Sequence, residues 1–501
     1  MTGDVAVSLV LLAAAGLLPA LALVGVRPVV VVLAPLAGSV VAAVAAVSSL
    51  VVAGGLIPWF VLWAAAAAGV AVGWWWVRPG RRPDRTTWSW WSALWLVPVV
   101  AATAWSVRSL RLVTIGFDAR GLWLLHGAWF AGGHHVARAA ISDPVLAFAH
   151  PNYPPLVGAA VAVGWAVTGA APGSAAALRD GQIVVGVLNA CALVAVGSVF
   201  VEVTVARRRA VDGDGALGVV PGLASLVGAL VCVALAAGAG PYLVDGYADP
   251  LWVLAAVGAV AFGLVLPLSG PTLGTAALLV AVAGLTKLEG ILTGEVLVVL
   301  VALRYGLGDG GEDGVDGARG RWTRAAAGGV AGCLALAVWP VVARLLHADP
   351  DDDASGHRYG TVGARWHASV SAMVPHLHVV PVAAVVALVG SLTLRRVRGT
   401  GSPGGLAGDV WLWTVLVWNL VAIAGTYALG TAPITVWLAT SVDRTTTFAP
   451  GLALVSVGVW VVLGLVQLLD TEPSGPVDPG VGTGPPVSLD ADAPDVLHHG
   501  A

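Results

Sequence analysis

The sequence predicts an all-α, polytopic membrane protein with about 13 transmembrane helices plus a short re-entrant or tilted segment. Three observations predict it. Hydrophobic residues fill 58% of the 501 positions and charged residues 11%, more apolar surface than a water-soluble core can bury. Apolar runs repeatedly reach the roughly 17–25 residues that cross a bilayer. Those runs lack period-two alternation, so helices, which satisfy their own backbone polar groups in lipid, are expected and a barrel is not.

In order, the expected spans are 5–26, 29–53, 57–77, 88–107, 182–203, 217–238, 250–268, 272–286, 289–304, 325–346, 377–394, 410–429 and 448–469. The first has no basic segment before it and no polar domain after it, so it reads as a retained span rather than a cleaved signal. Arginine clusters at Arg78–Arg85, Arg207–Arg209, Arg304–Arg324 and Arg395–Arg398 mark the cytoplasmic side and put the N-terminus outside. Leu156–Ala171 breaks this parity. It is short and carries Gly158, Gly164 and Gly169, so it is expected to dip into the bundle with both ends outside, a tilted full span being the alternative.

Residues 1–87 then form extra N-terminal helices, 88–469 the main membrane domain, with interfacial helices in its external loops, and 470–501, rich in Pro, Gly and Asp, a disordered cytoplasmic tail. Cys191, Cys232 and Cys333 lie in apolar runs and read as small buried hydrophobes, without a disulfide framework or metal-ligand spacing. The net charge of −3 includes no basic nucleic-acid surface, so the expected partners are membrane lipid and what it carries, with no nucleic acid.

Two polar loops interrupt the apolar chain: Gly116 to Trp123, followed by His150-Pro151-Asn152-Tyr153-Pro154-Pro155-Leu156, and Gly240 to Pro250. Charge deeper in hydrocarbon costs several kcal/mol, so acids at helix mouths are where membrane chemistry is expected. Asp118 opens an aromatic segment containing Trp123, Trp129 and Phe130, where a carboxylate serves either as a helix cap or as a general base. Asp245 and Asp249 stand four apart with Tyr242 and Tyr247. Asp249-Pro250 also fits a helix N-cap followed by proline, whereas Asp245 has less structural reason to be there.

Of the 25 basic residues only Lys287 is a lysine, a skew that a GC-rich genome produces. Beside Glu289 it reads either as a snorkelling side chain or as a compact charge for a phosphate. Arg444 lies on the expected outer side, where the positive-inside bias places few arginines, and reads as a partner of Asp443 or of anionic headgroups. The loop with Asp349, Asp351, Asp352, Asp353, His357, Arg358, Arg365, Trp366 and His367 reads as a solvated face, with a lid over an acceptor as the alternative. His126, His134, His135 and His150 have no zinc-ligand spacing.

The order of these features resembles the GT-C class of integral-membrane glycosyltransferases, which includes protein O-mannosyltransferases, aminoarabinose transferases and oligosaccharyltransferases. That order is an early acid, an aromatic helix, His-Pro-x-Tyr-Pro-Pro-Leu, a second acidic loop, Leu285-Thr286-Lys287 and Thr440-Ser441-Val442-Asp443-Arg444, and it covers about 105–450. The resemblance implies transfer of a sugar from a polyprenyl-phosphate donor to a glycan or protein acceptor at the outer face of the cell membrane. It implies Asp118 as general base, Lys287 and Arg444 at the donor phosphate, and Asp245 and Asp249 at an acceptor or a divalent cation. His150, Tyr153, Tyr247 and Glu289 would be substrate contacts. The chain departs from the class in its three extra N-terminal spans and in lacking the large external C-terminal domain of some members. The rival expectations are a transporter or flippase of lipid-linked sugars and a non-catalytic scaffold.

Overall fold

The computed structural model describes residues 3–25, 27, 29–77, 114–211, 220–307, 317–348, 360–398, 405–430 and 433–470. Every regular element among them is helical. The expected span 88–107, the Arg78–Arg85 cluster, Asp349–Asp353 with His357 and Arg358, and the tail beyond Asp470 lie outside the described residues.

Helices α1 (Gly3–Val24), α2 (Val30–Val52) and α3 (Leu56–Val77) form the N-terminal group. After a π turn at Ala119–Trp123 come the short helices α4 (Leu124–Ala131) and α5 (His134–Ile141), a 3-10 turn at Pro144–Ala149, and α6 (Leu156–Thr168). The long α7 (Ala175–Val211) leads to α8 (Val220–Ala239), α9 (Asp249–Val260), α10 (Gly270–Thr286) and α11 (Leu288–Gly306). The chain closes with α12 (Gly317–Leu345), α13 (Val362–Met373), α14 (Val379–Arg398), α15 (Gly405–Leu429), α16 (Ile434–Thr445) and α17 (Phe448–Asp470).

Among the described residues, eight helices are long and apolar enough to cross a membrane, nine if one bent pair counts as a span. They match eight of the thirteen expected spans. Of the other five, 88–107 is not described. The segments 250–268 and 272–286 fold as Asp249–Val265 and Gly270–Thr286, both shorter than a typical span. The segment 289–304 becomes α11, which carries Glu289, Glu295 and Arg304. Finally, 377–394 is the second arm of a pair bent by 64°. Helix α6 has 13 residues, about 20 Å of helix against a hydrocarbon core of about 30 Å, and is buried over most of its length.

Helix α9 is buried at every position, as expected of a helix that is apolar all round. It packs against α7, α10 and α17 and forms the centre of the bundle. Beyond it, a π turn at Ala261–Val265 ends where Arg304 donates to the carbonyls of Gly263 (3.1 Å) and Leu266 (2.8 Å). The same helix thus presents Asp249 at its start and a capped turn after its other end.

Candidate functional site

Local rules bring each polar residue to the start of α9. Gly116 N donates to Asp245 O at 3.1 Å, and a Cβ at Gly116 would overlap the Tyr247 ring, so only glycine allows this approach. Asp118 N donates to Tyr247 Oη at 3.4 Å, which ties the approach to α4 to the 240–249 turn. That turn is pinned from α7: Gln182 Nε2 donates to Val244 O (2.8 Å) and Asn189 Nδ2 to Leu243 O (2.9 Å).

Asp249 is the first residue of α9, and Ala248 takes the N-cap position, so the capping alternative for Asp249 does not describe it. Both its oxygens face cations: Lys287 Nζ lies 2.6 Å from Oδ1 and Arg444 Nη1 3.4 Å from Oδ2. Lys287 occupies the extended break between α10 and α11. A Cβ at Gly290 would strike the Ala283 carbonyl, so glycine there lets the two helices turn tightly and aim the lysine inward. Its second partner is Glu289 Oε1 at 3.3 Å. Burial works to lower the Lys287 pKa, but the charges of Asp249 and Glu289 override it and hold the ammonium above its ordinary range.

Arg444 stands in the last turn of α16, a helix where the sequence suggests only an outer loop. Its Nη1 donates to Asp118 Oδ2 at 2.6 Å and its Nη2 to Thr440 O at 2.7 Å. The guanidinium carbon sits 4.9 Å from the Tyr247 ring centre and 5.8 Å from that of Tyr242, within cation–π range. Tyr242 Oη donates to Asp443 Oδ2 at 3.0 Å, joining the turn to α16. The result is a continuous series of ion pairs, Asp118–Arg444–Asp249–Lys287–Glu289, drawn from four separate stretches of sequence.

Asp245 is buried beside this series. Burial first, and the charge of Asp249 second, push its carboxyl up to about 7, while the Tyr247 N–H bonded to Oδ1 at 3.1 Å opposes them. Tyr153 lies between Trp123 and His150, with ring centres 5.4 and 4.8 Å away, and its ring is 6.0 Å from Lys287 Nζ. Its phenol is pushed above its ordinary range by burial. His126 Nε2 pairs with Ala149 O at 2.8 Å, and burial lowers its imidazole to about 4, so it is a neutral support for the His150–Tyr153 turn.

The nine site residues that the resemblance implies therefore fall in or beside one cluster: Asp118, Asp249, Lys287, Glu289 and Arg444 in direct ion pairs, Asp245, Tyr247, Tyr153 and His150 around them. Among the described residues no three His, Cys, Asp or Glu side chains converge to hold a metal ion. With both Asp249 oxygens facing cations, this set fits a divalent cation poorly. Arg365 belongs neither to a solvated face nor to a lid: it is buried and donates to the carbonyls of Tyr427 and Ala428 at the end of α15. Trp123 and His126, both buried supports of the turn, are not distinguishable in sequence from ordinary aromatic packing.

Compared with protein-family models, curated proteins and solved structures, the chain matches none.

Proposed function

We propose that the protein is a GT-C-like glycosyltransferase that moves a sugar from a polyprenyl-phosphate donor to a glycan or protein acceptor at the outer face of the membrane. The observation that carries this reading is the convergence of Asp118, Arg444, Asp249 and Lys287 in a chain with eight described helices long and apolar enough to cross a bilayer. Two cations held on the two oxygens of one carboxylate suit a phosphate, and a partly exposed carboxylate at the end of the series suits a base.

In this reading the acceptor hydroxyl attacks the anomeric carbon and gives its proton to Asp118. The bond from that carbon to the phosphate oxygen breaks, and its electron pair leaves with the polyprenyl phosphate. The extra negative charge develops beside Lys287 and Arg444, where fixed cations stabilise it most. Direct attack inverts the anomeric centre.

Movement of an intact lipid-linked sugar across the bilayer is the rival, favoured by the 64° bend between Val362–Leu377 and Val379–Thr393. Membranes with and without the protein, given radiolabelled polyprenyl-phosphate sugars, separate the two. Label appearing in a new acceptor supports transfer; label crossing vesicles on intact lipid, with none transferred, overturns it.

A further inference from the structure

One nitrogen serves both halves of this chemistry. Arg444 Nη1 is 2.6 Å from Asp118 Oδ2 and 3.4 Å from Asp249 Oδ2. Asp249 has a second cation, Lys287, on its other oxygen at 2.6 Å, whereas among the described residues Arg444 is the one cation paired with Asp118. While that contact lasts, the Asp118 oxygen that Nη1 occupies is not open to an acceptor hydroxyl. The group suited to take the acceptor proton is thus held by the group suited to bind the donor phosphate.

We infer that Arg444 couples the two substrates: a donor phosphate oxygen that takes Nη1 releases Asp118, so the base becomes competent only after the donor has bound. This rests on the transferase reading and adds to it an order of binding and a positioning role for Arg444 toward Asp118. Asp249 makes the exchange local. Its Oδ1 stays with Lys287 while its Oδ2 keeps the guanidinium near, so a phosphate meets both cations without Arg444 leaving the Tyr242 and Tyr247 rings. No bond to carbon is made or broken in this step; one hydrogen bond from Nη1 is exchanged for another. The coupling also orders the reaction, since a base freed before donor binding would serve no acceptor and one freed after it acts on a filled site.

The test uses the full chain in nanodiscs of zwitterionic lipid. Asp118, whose side chain is 23% exposed, is labelled with a water-soluble carbodiimide and an amine, and the modified residue is quantified by mass spectrometry. Labelling is measured alone, with polyprenyl phosphate and with inorganic phosphate at the same concentration, while binding of polyprenyl phosphate is followed separately. The expected result is a rise of about fivefold or more in Asp118 labelling on saturation with polyprenyl phosphate, the rate change that loss of about 1 kcal/mol of protection gives. A smaller rise with inorganic phosphate supports the same exchange with a ligand that lacks the lipid. Binding with unchanged Asp118 labelling overturns the coupling and leaves the donor reading intact. Failure of polyprenyl phosphate to bind overturns the donor reading and this inference with it. As a second readout, Arg444→Gln should label at Asp118 to the same high level with and without the phosphate; labelling as low as in the wild type would overturn the inference.

Discussion

Lys287 and Asp249 are joined at 2.6 Å across a separation of 38 positions, and the side chains of both are more than nine-tenths buried. A lone buried charge of either sign would be costly, so each residue makes the other tolerable. The pair also fixes the break between α10 and α11 against the start of α9.

The first prediction follows from that pair. Lys287→Met should destabilise the protein by up to about 3 kcal/mol, because it takes from Asp249 Oδ1 and from Glu289 the cation they share, while Arg444 still faces the other Asp249 oxygen. Adding Asp249→Asn should restore part of the loss without restoring donor binding. Thermal unfolding in detergent decides it, and a double variant no more stable than the single one would show that the pair is not what holds the break.

Substitution by arginine asks a different question of the same residue. Lys287→Ala should weaken polyprenyl-phosphate binding by at least about tenfold, and Lys287→Arg should recover only part of it, because a wider planar cation cannot sit between Asp249, Glu289 and the Tyr153 ring as the ammonium does. Donor titrations on purified variants measure this. Full affinity in the alanine variant would remove Lys287 from the phosphate site.

Asp118→Asn should cut transfer by about 10²-fold or more while leaving donor binding near normal, since a base acts on the reaction and not on the phosphate. Transfer of radiolabelled sugar and donor titration are measured on the same preparation. Near-normal turnover would exclude Asp118 as the base.

Asp245 gives a pH dependence. Its carboxyl is held near 7 by burial and by Asp249, against an ordinary value of 3.8. Between these values the folded protein keeps a proton that the unfolded chain has lost, so this group's contribution to stability falls as pH rises from about 4 to about 7 and is flat above. Asp245→Asn should remove that fall and be more stable than the wild type above pH 7. Parallel melting-temperature curves for the two proteins over this range would show that Asp245 is ionised throughout.

For topology, cysteines placed near Gly116 and Ala248 should react with an impermeant reagent in intact cells, and one near Gly310 should not. The hydrogen bond from Gly116 to Asp245 requires the first two positions to share a side of the membrane. Their labelling from opposite sides would contradict the structure itself.

The polar residues are legible in the sequence one at a time, because a rare charge in an apolar chain is conspicuous. Lys287 stands out as the single lysine, Arg444 as an arginine on the expected outer side, and the acids by their place at helix mouths. Which of them touch is not legible: nothing in the spacing of 118, 249, 287 and 444 says that one guanidinium nitrogen meets two carboxylates. Asp249–Val265 and Gly270–Thr286 are apolar, shorter than a typical span and buried over much of their length, and hydropathy alone does not distinguish a buried helix from a crossing. Helix α16 reads as loop because Thr440, Ser441 and Thr445 dilute its apolar pattern; in the structure their hydroxyls return to carbonyls of the same helix.

The π turn at Ala119–Trp123, immediately after Asp118, carries one residue more than an α turn spanning the same rise. Inserting one further residue there, with no second bulge to absorb it, would rotate everything before it by about 100° relative to Trp123. Asp118 would then point away from Arg444 with its chemistry unchanged. The length of this short stretch, and not only its composition, is therefore part of what the sequence must specify, and a one-residue insertion there should be more damaging than most substitutions.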